Sequence, residues 1–189
     1  MRMLRRPLPM LVAVSVLISG CGYNTIQTKD EAVNSAGAQI KAQLQRRADL
    51  IPNLVETVKG FAKQETTIFI EVAEARSRLS GAVQSGDLQQ MAQANQALNA
   101  PLGRLLAIVE AYPDLKSNQN FLQLQDQLEG TENRISVARQ DYNKAVEDFN
   151  AYIRRFPYNL TAKMFGLSKP REYFELTSPD AAKAPEVKF

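Results

Sequence analysis

Apolar residues in the second half of the chain recur in alternating steps of three and four from Phe121 to Phe156. A mean step of 3.5 residues places them on one face of an α-helix, a pattern typical of helical bundles and left-handed coiled packing. At a rise of 1.5 Å per residue this helix would be roughly 54 Å long. No segment alternates with a period of two, so we expect no strands. The core face of this helix is predicted to carry Phe121, Leu124, Leu128, Thr131, Ile135, Ala138, Tyr142, Ala145, Phe149, Tyr152 and Phe156.

Apolar residues have the same spacing in three earlier stretches, at 33–61, 68–79 and 88–112. The register continues through Gly60, which would suit one long rod. Four antiparallel helices bury the apolar faces better, with a turn near Gly60 or at 63–65. We therefore predict an all-α fold, an antiparallel four-helix bundle with long helices. The core face of the first stretch is predicted to carry Val33, Ile40, Leu44, Arg47, Ile51, Leu54, Val58 and Phe61.

Local signals define the helix ends. Asp30 is predicted to cap the first helix. Pro52 and Pro101 interrupt apolar patterns that keep their register, so we interpret them as kinks inside helices. Residues 112–116 are predicted to form a turn, with Ser117 or Asn118 capping the helix that follows. The later part of the chain adds a short amphipathic helix carrying Tyr158, Leu160, Met164 and Phe165, which Gly166 ends, and then an extended tail with little regular structure.

The first 21 residues have the pattern of a bacterial lipoprotein leader. Three arginines precede an apolar run from Leu8 to Gly20, which is too short to span roughly 30 Å of hydrocarbon as a helix. The run ends in Leu17-Ile18-Ser19-Gly20-Cys21, which resembles the lipobox that directs lipid attachment to its cysteine. We therefore predict a signal peptide at 1–20, a lipidated tether at 21–29, a bundle at 30–167 and a flexible tail at 168–189. Lipid on Cys21 would hold the protein to a membrane, with palmitate among its acyl chains.

The residue after Cys21 is Gly22 and not the Asp that retains many Gram-negative lipoproteins in the inner membrane. We therefore expect an extracytoplasmic protein of the bacterial cell envelope. In a Gram-negative host it would lie on the periplasmic face of the outer membrane.

Composition excludes several functions. The chain has 23 basic and 20 acidic residues, and the leader holds three of the basic ones, so the remainder is formally neutral. A neutral body argues against nucleic acid as a partner, because such binding depends on neutralising phosphates. With no His and one Cys, the chain cannot form a His-based catalytic triad, a zinc site of His and Cys, or an internal disulfide. We expect no cofactor, no metal and no catalytic residue.

The sequence resembles the LemA family over nearly all of the mature chain. The resemblance is carried by QLQRRADLIPNLVETVKGFA at 43–62, by RLLAIVEAYPDLKSNQNFLQLQDQLEGTENRI at 104–135, by FPYNLTAKMFG at 156–166 and by the closing Pro185-Glu186-Val187-Lys188-Phe189. It implies a four-helix-bundle-like extracytoplasmic domain held to a bacterial membrane, with no agreed biochemical activity. Many members carry a His where this chain has Gln64, and many use a membrane-spanning helix where this chain has Cys21.

Arg46, Arg47 and Asp49 form the first candidate site. Arg47 falls on the core face, where a charge needs a partner. The fourth helix offers Asp126, Glu129, Glu132 and Asp141 as partners. Arg47 is therefore predicted to fix the helix register through an ion pair, and the alternative is an anion-binding or carboxylate-binding site.

Asn143 and Asn150 are seven residues apart and share one helix face. They would serve either as interhelical hydrogen-bonding residues or as a polar strip for a partner. The aromatic stripe beside them is interpreted as core, with a ligand-stacking surface as the alternative; it consists of Tyr142, Phe149, Tyr152 and Phe156. Phe189 is expected to dock back on the bundle, and the alternative is a tail that a partner recognises.

Together these features predict a non-enzymatic, lipid-anchored scaffold or adaptor that presents its bundle to an unidentified envelope protein, with homo-oligomer formation left open. One alternative is a small-anion module centred on Arg47. Another is a peptidoglycan hydrolase that uses carboxylates such as Glu71, Glu74, Glu129 and Glu132, although their helical spacing and nearby bases suit a solvated helix face.

Overall fold

The computed structural model describes the backbone of residues 8–174 and the side chains of residues 22–174. Within this range the regular structure is entirely helical, which confirms the all-α prediction. The helices are α1 (Leu8–Phe61), α2 (Thr66–Ser85), α3 (Leu88–Val109), α4 (Pro113–Lys116), α5 (Gln119–Arg154) and α6 (Tyr158–Met164).

The chain divides into two compact units, and both α1 and α5 contribute to each. Within residues 8–174, unit 1 combines the chain up to Ala36 with Asp141–Tyr173, and unit 2 combines Gly37–Gln140 with Phe174.

Unit 2 contains the predicted antiparallel four-helix bundle, formed by α2, α3 and the adjoining parts of α1 and α5. Short connections reverse the chain at 62–65 and 86–87, so consecutive helices are antiparallel neighbours. The Arg76 Nε donates to the Ala48 carbonyl oxygen at 3.1 Å, which joins α2 to α1. The α1–α2 connection falls where the hairpin interpretation placed it, and the single rod is excluded.

The core of unit 2 follows the predicted stripe of α1, because Ile40, Leu44 and Leu54 are fully buried. The prediction that Phe61 belongs to this core face is wrong, because Phe61 is 40% exposed. Phe61 is the last residue of α1 and the chain turns there, so Ala62 enters the core in its place.

Unit 1 contains the early part of α1, the late part of α5, α6 and an irregular segment. The prediction that the first helix begins at Asp30 is wrong, because α1 already includes residues 22–29, the expected tether. The cause is that the core face continues backwards in steps of seven from Ile40 through Val33 to Ile26, all of them buried. Phe156, the last predicted core position of α5, is 79% exposed because α5 ends at Arg154.

Several local predictions hold. Pro52 and Pro101 lie inside α1 and α3, and the Asn118 side-chain oxygen accepts from the Phe121 amide at 3.1 Å. Gly166 follows α6 with a φ of +72°, a conformation that L side chains rarely adopt. The predicted turn at 112–116 instead contains the four-residue α4, because Pro113 is tolerated in the first turn of a helix.

In the part of the chain that the structure describes, no helix has the combined length and hydropathy of a membrane-spanning segment.

Candidate functional site

Arg47 lies at the centre of a polar cluster in unit 2 that joins three helices. Its guanidinium extends from α1 to the side-chain oxygens of Asn95 and Asn99 on α3, with 2.9 Å between Nη2 and Asn99 Oδ1. Its Nη1 also lies 2.7 Å from Glu132 Oε2 on α5. We call Arg47, Asn95, Asn99 and Glu132 the Arg47 cluster. The geometry is that of an interhelical ion pair supported by two amides.

The Arg47 cluster is buried on its cationic side and open on its anionic side. Arg47 is 5% exposed as a residue, whereas the Glu132 side chain is 48% exposed. Burial lowers the pKa of Arg47, and the nearby Glu132 carboxylate raises this pKa in part. An arginine stays protonated through such a shift because its ordinary pKa lies so high. Within residues 22–174 the buried Arg47 Nε has no hydrogen-bond partner.

The other two members of the first candidate site lie outside this cluster. Arg46 is exposed, and Asp49 is exposed with its Oδ1 accepting from Gln45 Nε2 at 2.8 Å inside α1. The sequence pattern therefore grouped one buried residue with two neighbours that face solvent.

Asn150 binds the backbone of the irregular segment that follows α6. Its Nδ2 donates to the Arg171 carbonyl oxygen at 2.9 Å, and its Oδ1 accepts from the Arg171 amide at 2.8 Å. The Tyr142 hydroxyl donates to the Glu172 carbonyl oxygen at 3.0 Å. We call residues 168–173 the C-terminal strap. Asn143, seven residues before Asn150, is half-buried.

The strap is also tied to α1. The Arg171 guanidinium lies 2.7 Å from Asp30 Oδ1 through Nη2 and 3.0 Å through Nε, and Nη2 is 3.3 Å from Asn34 Oδ1. Residues 168–173 are irregular, as predicted, but the freely extending tail expected from Ser168 is wrong for them. Residues 175–189, with Phe189, lie outside the described part.

Burial raises the pKa of the Tyr142 hydroxyl; the Arg171 cation lowers this pKa in part, and Glu172 raises it. The phenol is therefore held in its neutral, donating form.

Cys21 belongs to α1 by its backbone, and its side chain lies outside the described part. The next residue, Gly22, is buried against α6, where an added Cβ would lie 2.9 Å from Tyr158 Cδ1. The rings of Tyr23 and Phe165 are 4.6 Å apart. The residues that directly follow the predicted lipid site therefore pack on α6.

The carboxylates considered for hydrolysis are engaged in pairs. Glu71 lies 2.7 Å from Arg104 Nη2, Glu74 lies 3.6 Å from Arg78, and Glu129 accepts from Gln125 at 3.0 Å. Among the described residues no group of three or more Cys, Asp or Glu side chains is placed to hold a metal.

Unit 1 also has an open cavity of about 210 Å³ in which cations and anions are mixed. Two lysines and two aspartates of this lining give no uniform charge for a ligand. Its lining residues are Lys29, Ala32, Asp141, Lys144, Ala145 and Asp148.

Comparison with known proteins identifies the family of this chain. The LemA family profile matches residues 36–189. The chain belongs to the LemA family. The match includes the Arg47 cluster, Asn150 and the strap, and it begins after Cys21 and Asp30.

The relatives of this LemA-family chain include magnetosome proteins. Magnetosome protein MamQ 2 of Paramagnetospirillum magneticum is 30% identical over 81% of the chain, which spans 64% of that relative, less than two thirds of its length. Magnetosome protein MamQ of Magnetospirillum gryphiswaldense is 26% identical over 95% of the chain and 77% of the relative. Protein LemA of Metamycoplasma hominis is 24% identical over 76% of the chain and 65% of the relative.

Proposed function

We propose that this LemA-family chain is a non-enzymatic scaffold or adaptor of the bacterial cell envelope, held to a membrane by lipid on Cys21. The observation that carries the proposal is the Leu17–Cys21 motif, which stands directly before Gly22, a residue that packs against α6. Several acyl chains on one cysteine give stable anchoring, since each buried methylene contributes about 0.8 kcal/mol.

A non-enzymatic role agrees with the way in which the carboxylates of the described residues are paired. General acid–base hydrolysis of a glycoside needs two carboxyl groups about 5–10 Å apart in a cleft that admits the sugar. Here Glu71 and Glu132 are each paired with an arginine of another helix. Their positions stabilise the bundle, which favours a scaffold over a hydrolase.

The proposed location is the periplasmic face of the outer membrane in a Gram-negative host, because residue 22 is Gly and not the Asp that signals retention in the inner membrane. The packing of Gly22 on Tyr158 gives a second, structural reason for glycine at this position. Separation of the two membranes on a density gradient tests the location. Recovery with the inner membrane would contradict the proposed location.

The anchor is tested by Cys21→Ala in the native host, with Ser19→Ala as the matched control because alanine keeps a small residue before the cysteine. We expect Cys21→Ala to lose labelling by radioactive palmitate and to leave the detergent-extracted membrane fraction. Ser19→Ala should retain both. Unchanged labelling of Cys21→Ala would contradict lipid attachment at this residue.

The adaptor role is tested by photo-crosslinking from exposed positions of α5. Lys144 and Glu147 lie on the unit 1 part of α5, and Glu74 on α2 gives a control position in unit 2. A discrete adduct with one envelope protein at Lys144 or Glu147 supports the proposal, whereas an adduct of two copies supports a homo-oligomer. Release of muropeptides by the purified protein, abolished by a single Glu→Gln change, would contradict a non-enzymatic scaffold.

A small-anion module is the second candidate, and the unpartnered Arg47 Nε favours it. Calorimetric titration with inorganic phosphate and with acetate tests it. Binding by the wild type that a folded Arg47→Leu variant lacks would support the anion site. Absence of heat from both proteins would leave Arg47 with a purely structural role.

A further inference from the structure

The segment around α6 carries large apolar side chains that the described part of the protein leaves exposed. Among the described large apolar side chains that are more than half exposed, four of six lie within residues 156–165. They are Phe156 at 79%, Leu160 at 57%, Met164 at 68% and Phe165 at 51%. A concentration of this kind indicates an interaction site, whereas single exposed apolar residues are ordinary.

The two faces of α6 differ in their surroundings. Thr161 and Ala162 are buried, and Thr161 with Tyr158 lies against Gly22 of α1. Leu160 and Met164 are one helical turn apart and lie on the opposite, exposed side. α6 is thus fixed to α1 by one face and presents the other to solvent.

The same segment carries only positive charge. Between Asp148 and Glu172 the sequence contains no acidic residue. Arg154, Arg155, Lys163 and Lys169 are exposed, and none of them forms an ion pair within residues 22–174. We call these four cations and the four exposed apolar residues the α6 surface.

The α6 surface lies close to the predicted lipid site. Gly22 and Tyr23, which contact α6, directly follow the apolar run that ends at Cys21. Because residues 22–29 are helical, no extended tether separates the lipid site from the folded body. A chain anchored at Cys21 therefore holds α6 at the level of the lipid headgroups.

We propose that the α6 surface is a membrane-contact surface, with its apolar residues in the interface of the bilayer and its cations on anionic headgroups. Apolar side chains rimmed by Lys and Arg are the composition that binds an anionic bilayer from the side. The proposal rests on the proposed anchoring at Cys21. On this proposal the protein is both anchored through Cys21 and bound to the bilayer through the α6 surface, so that the α6 surface always faces the membrane.

The test uses the mature, lipidated full chain reconstituted in vesicles of phosphatidylethanolamine and phosphatidylglycerol. Cys21 is the only cysteine, and its sulfur is blocked when lipidated, so one introduced cysteine takes a thiol-reactive NBD dye alone. Leu160→Cys reports on the α6 surface. Val137→Cys is the matched control, because Val137 is 55% exposed and lies in unit 2.

We expect the dye at position 160 to shift to shorter wavelength and to be quenched by nitroxide-labelled lipid, and the dye at position 137 to show neither effect. Reversing Arg155 and Lys163 to Glu should reduce quenching at position 160 in the anionic vesicles. Each positive charge removed lowers the ratio of docked to undocked chains about fivefold. Equal, weak quenching at positions 160 and 137 in a chain that floats with the vesicles would overturn the proposal.

Anchoring is measured separately by flotation and by dye on Cys21 itself. A chain whose Cys21 takes the dye contradicts lipid attachment. In that case Leu160→Cys is labelled in a Cys21→Ala background, where quenching at position 160 still supports the α6 surface and its absence overturns the surface as well. Shielding of position 160 in native membranes but not in protein-free vesicles would show a protein occupant and overturn the lipid assignment.

Discussion

Two arginines connect distant parts of the chain, and they do so in different environments. Arg47 in unit 2 is buried and satisfies three side chains on two other helices. Arg171 in unit 1 has a side chain that is 42% exposed and pairs with Asp30, while its backbone is held by Asn150.

The difference shows which part of each contact stabilises the protein. A buried charge that loses a partner leaves polar groups with neither a hydrogen-bond partner nor water. Every member of the Arg47 cluster therefore contributes to stability. An exposed ion pair gains little because water screens it. In unit 1 the stabilising element is therefore the Asn150 amide and not the more visible Arg171–Asp30 pair.

The largest effect should come from Arg47→Ala. It removes the stem from the core and leaves the buried Asn95 amide without its partner, so we expect a loss of about 3 kcal/mol in the free energy of unfolding. Urea unfolding measures it. Arg46→Ala is the matched control, and we expect a change within about 0.5 kcal/mol because Arg46 is exposed. A loss below about 1 kcal/mol for Arg47→Ala would contradict a stabilising role of the cluster.

Asn150→Ala should rank second. It removes two hydrogen bonds to the Arg171 backbone, and because water reaches this backbone in part we expect a loss of about 1–2 kcal/mol. Hydrogen exchange should show that the Arg171 amide loses its protection. Glu147→Ala, an exposed change on the same helix, should leave that protection intact. Retained protection in Asn150→Ala would show that other contacts hold the strap.

Tyr142→Phe should cost about 1 kcal/mol near neutral pH, since it removes one hydrogen bond to Glu172. Burial raises the pKa of Tyr142 above its ordinary value of 10.0. The stability linked to the neutral phenol is therefore fully present below that ordinary value and is lost as the pH rises through the folded-state pKa.

Unfolding midpoints of wild type and Tyr142→Phe across this alkaline range test the pH dependence. The difference between the two proteins should narrow as the pH rises. A difference that stays constant would mean that the Tyr142 hydroxyl does not titrate in contact with the strap.

Asp30→Asn should have the smallest effect, below about 1 kcal/mol and smaller still at high salt. A double-mutant cycle with Arg171→Gln isolates the pair from other contacts of either residue. A coupling energy above about 2 kcal/mol would mean that the Arg171–Asp30 pair, and not the Asn150 amide, stabilises the strap most.

The bundle could be predicted because the information is local. Steps of three and four placed Ile40, Leu44 and Leu54 on a buried face, and the charge of Arg47 within that face required a polar partner. The helical structure of residues 22–29 could not be predicted, because Ile26 and Val33 stand seven apart amid polar residues, a weak local pattern.

The strap could not be predicted because its contacts are distant in sequence. Arg171 and Asp30 are 141 residues apart, and no periodicity marks residues 168–173. Phe156 continued the spacing of α5 but follows the end of that helix, so its exposure depends on where the helix stops.

Lipid at Cys21 underlies both the proposed anchoring and the proposed membrane contact of α6, and the mass of the mature protein tests it directly. Mass spectrometry of the protein purified from host membranes should show a chain that begins at Cys21 and exceeds its polypeptide mass by several acyl chains. A chain that still begins at Met1, or one that begins at Cys21 with the mass of the bare polypeptide, would contradict the account.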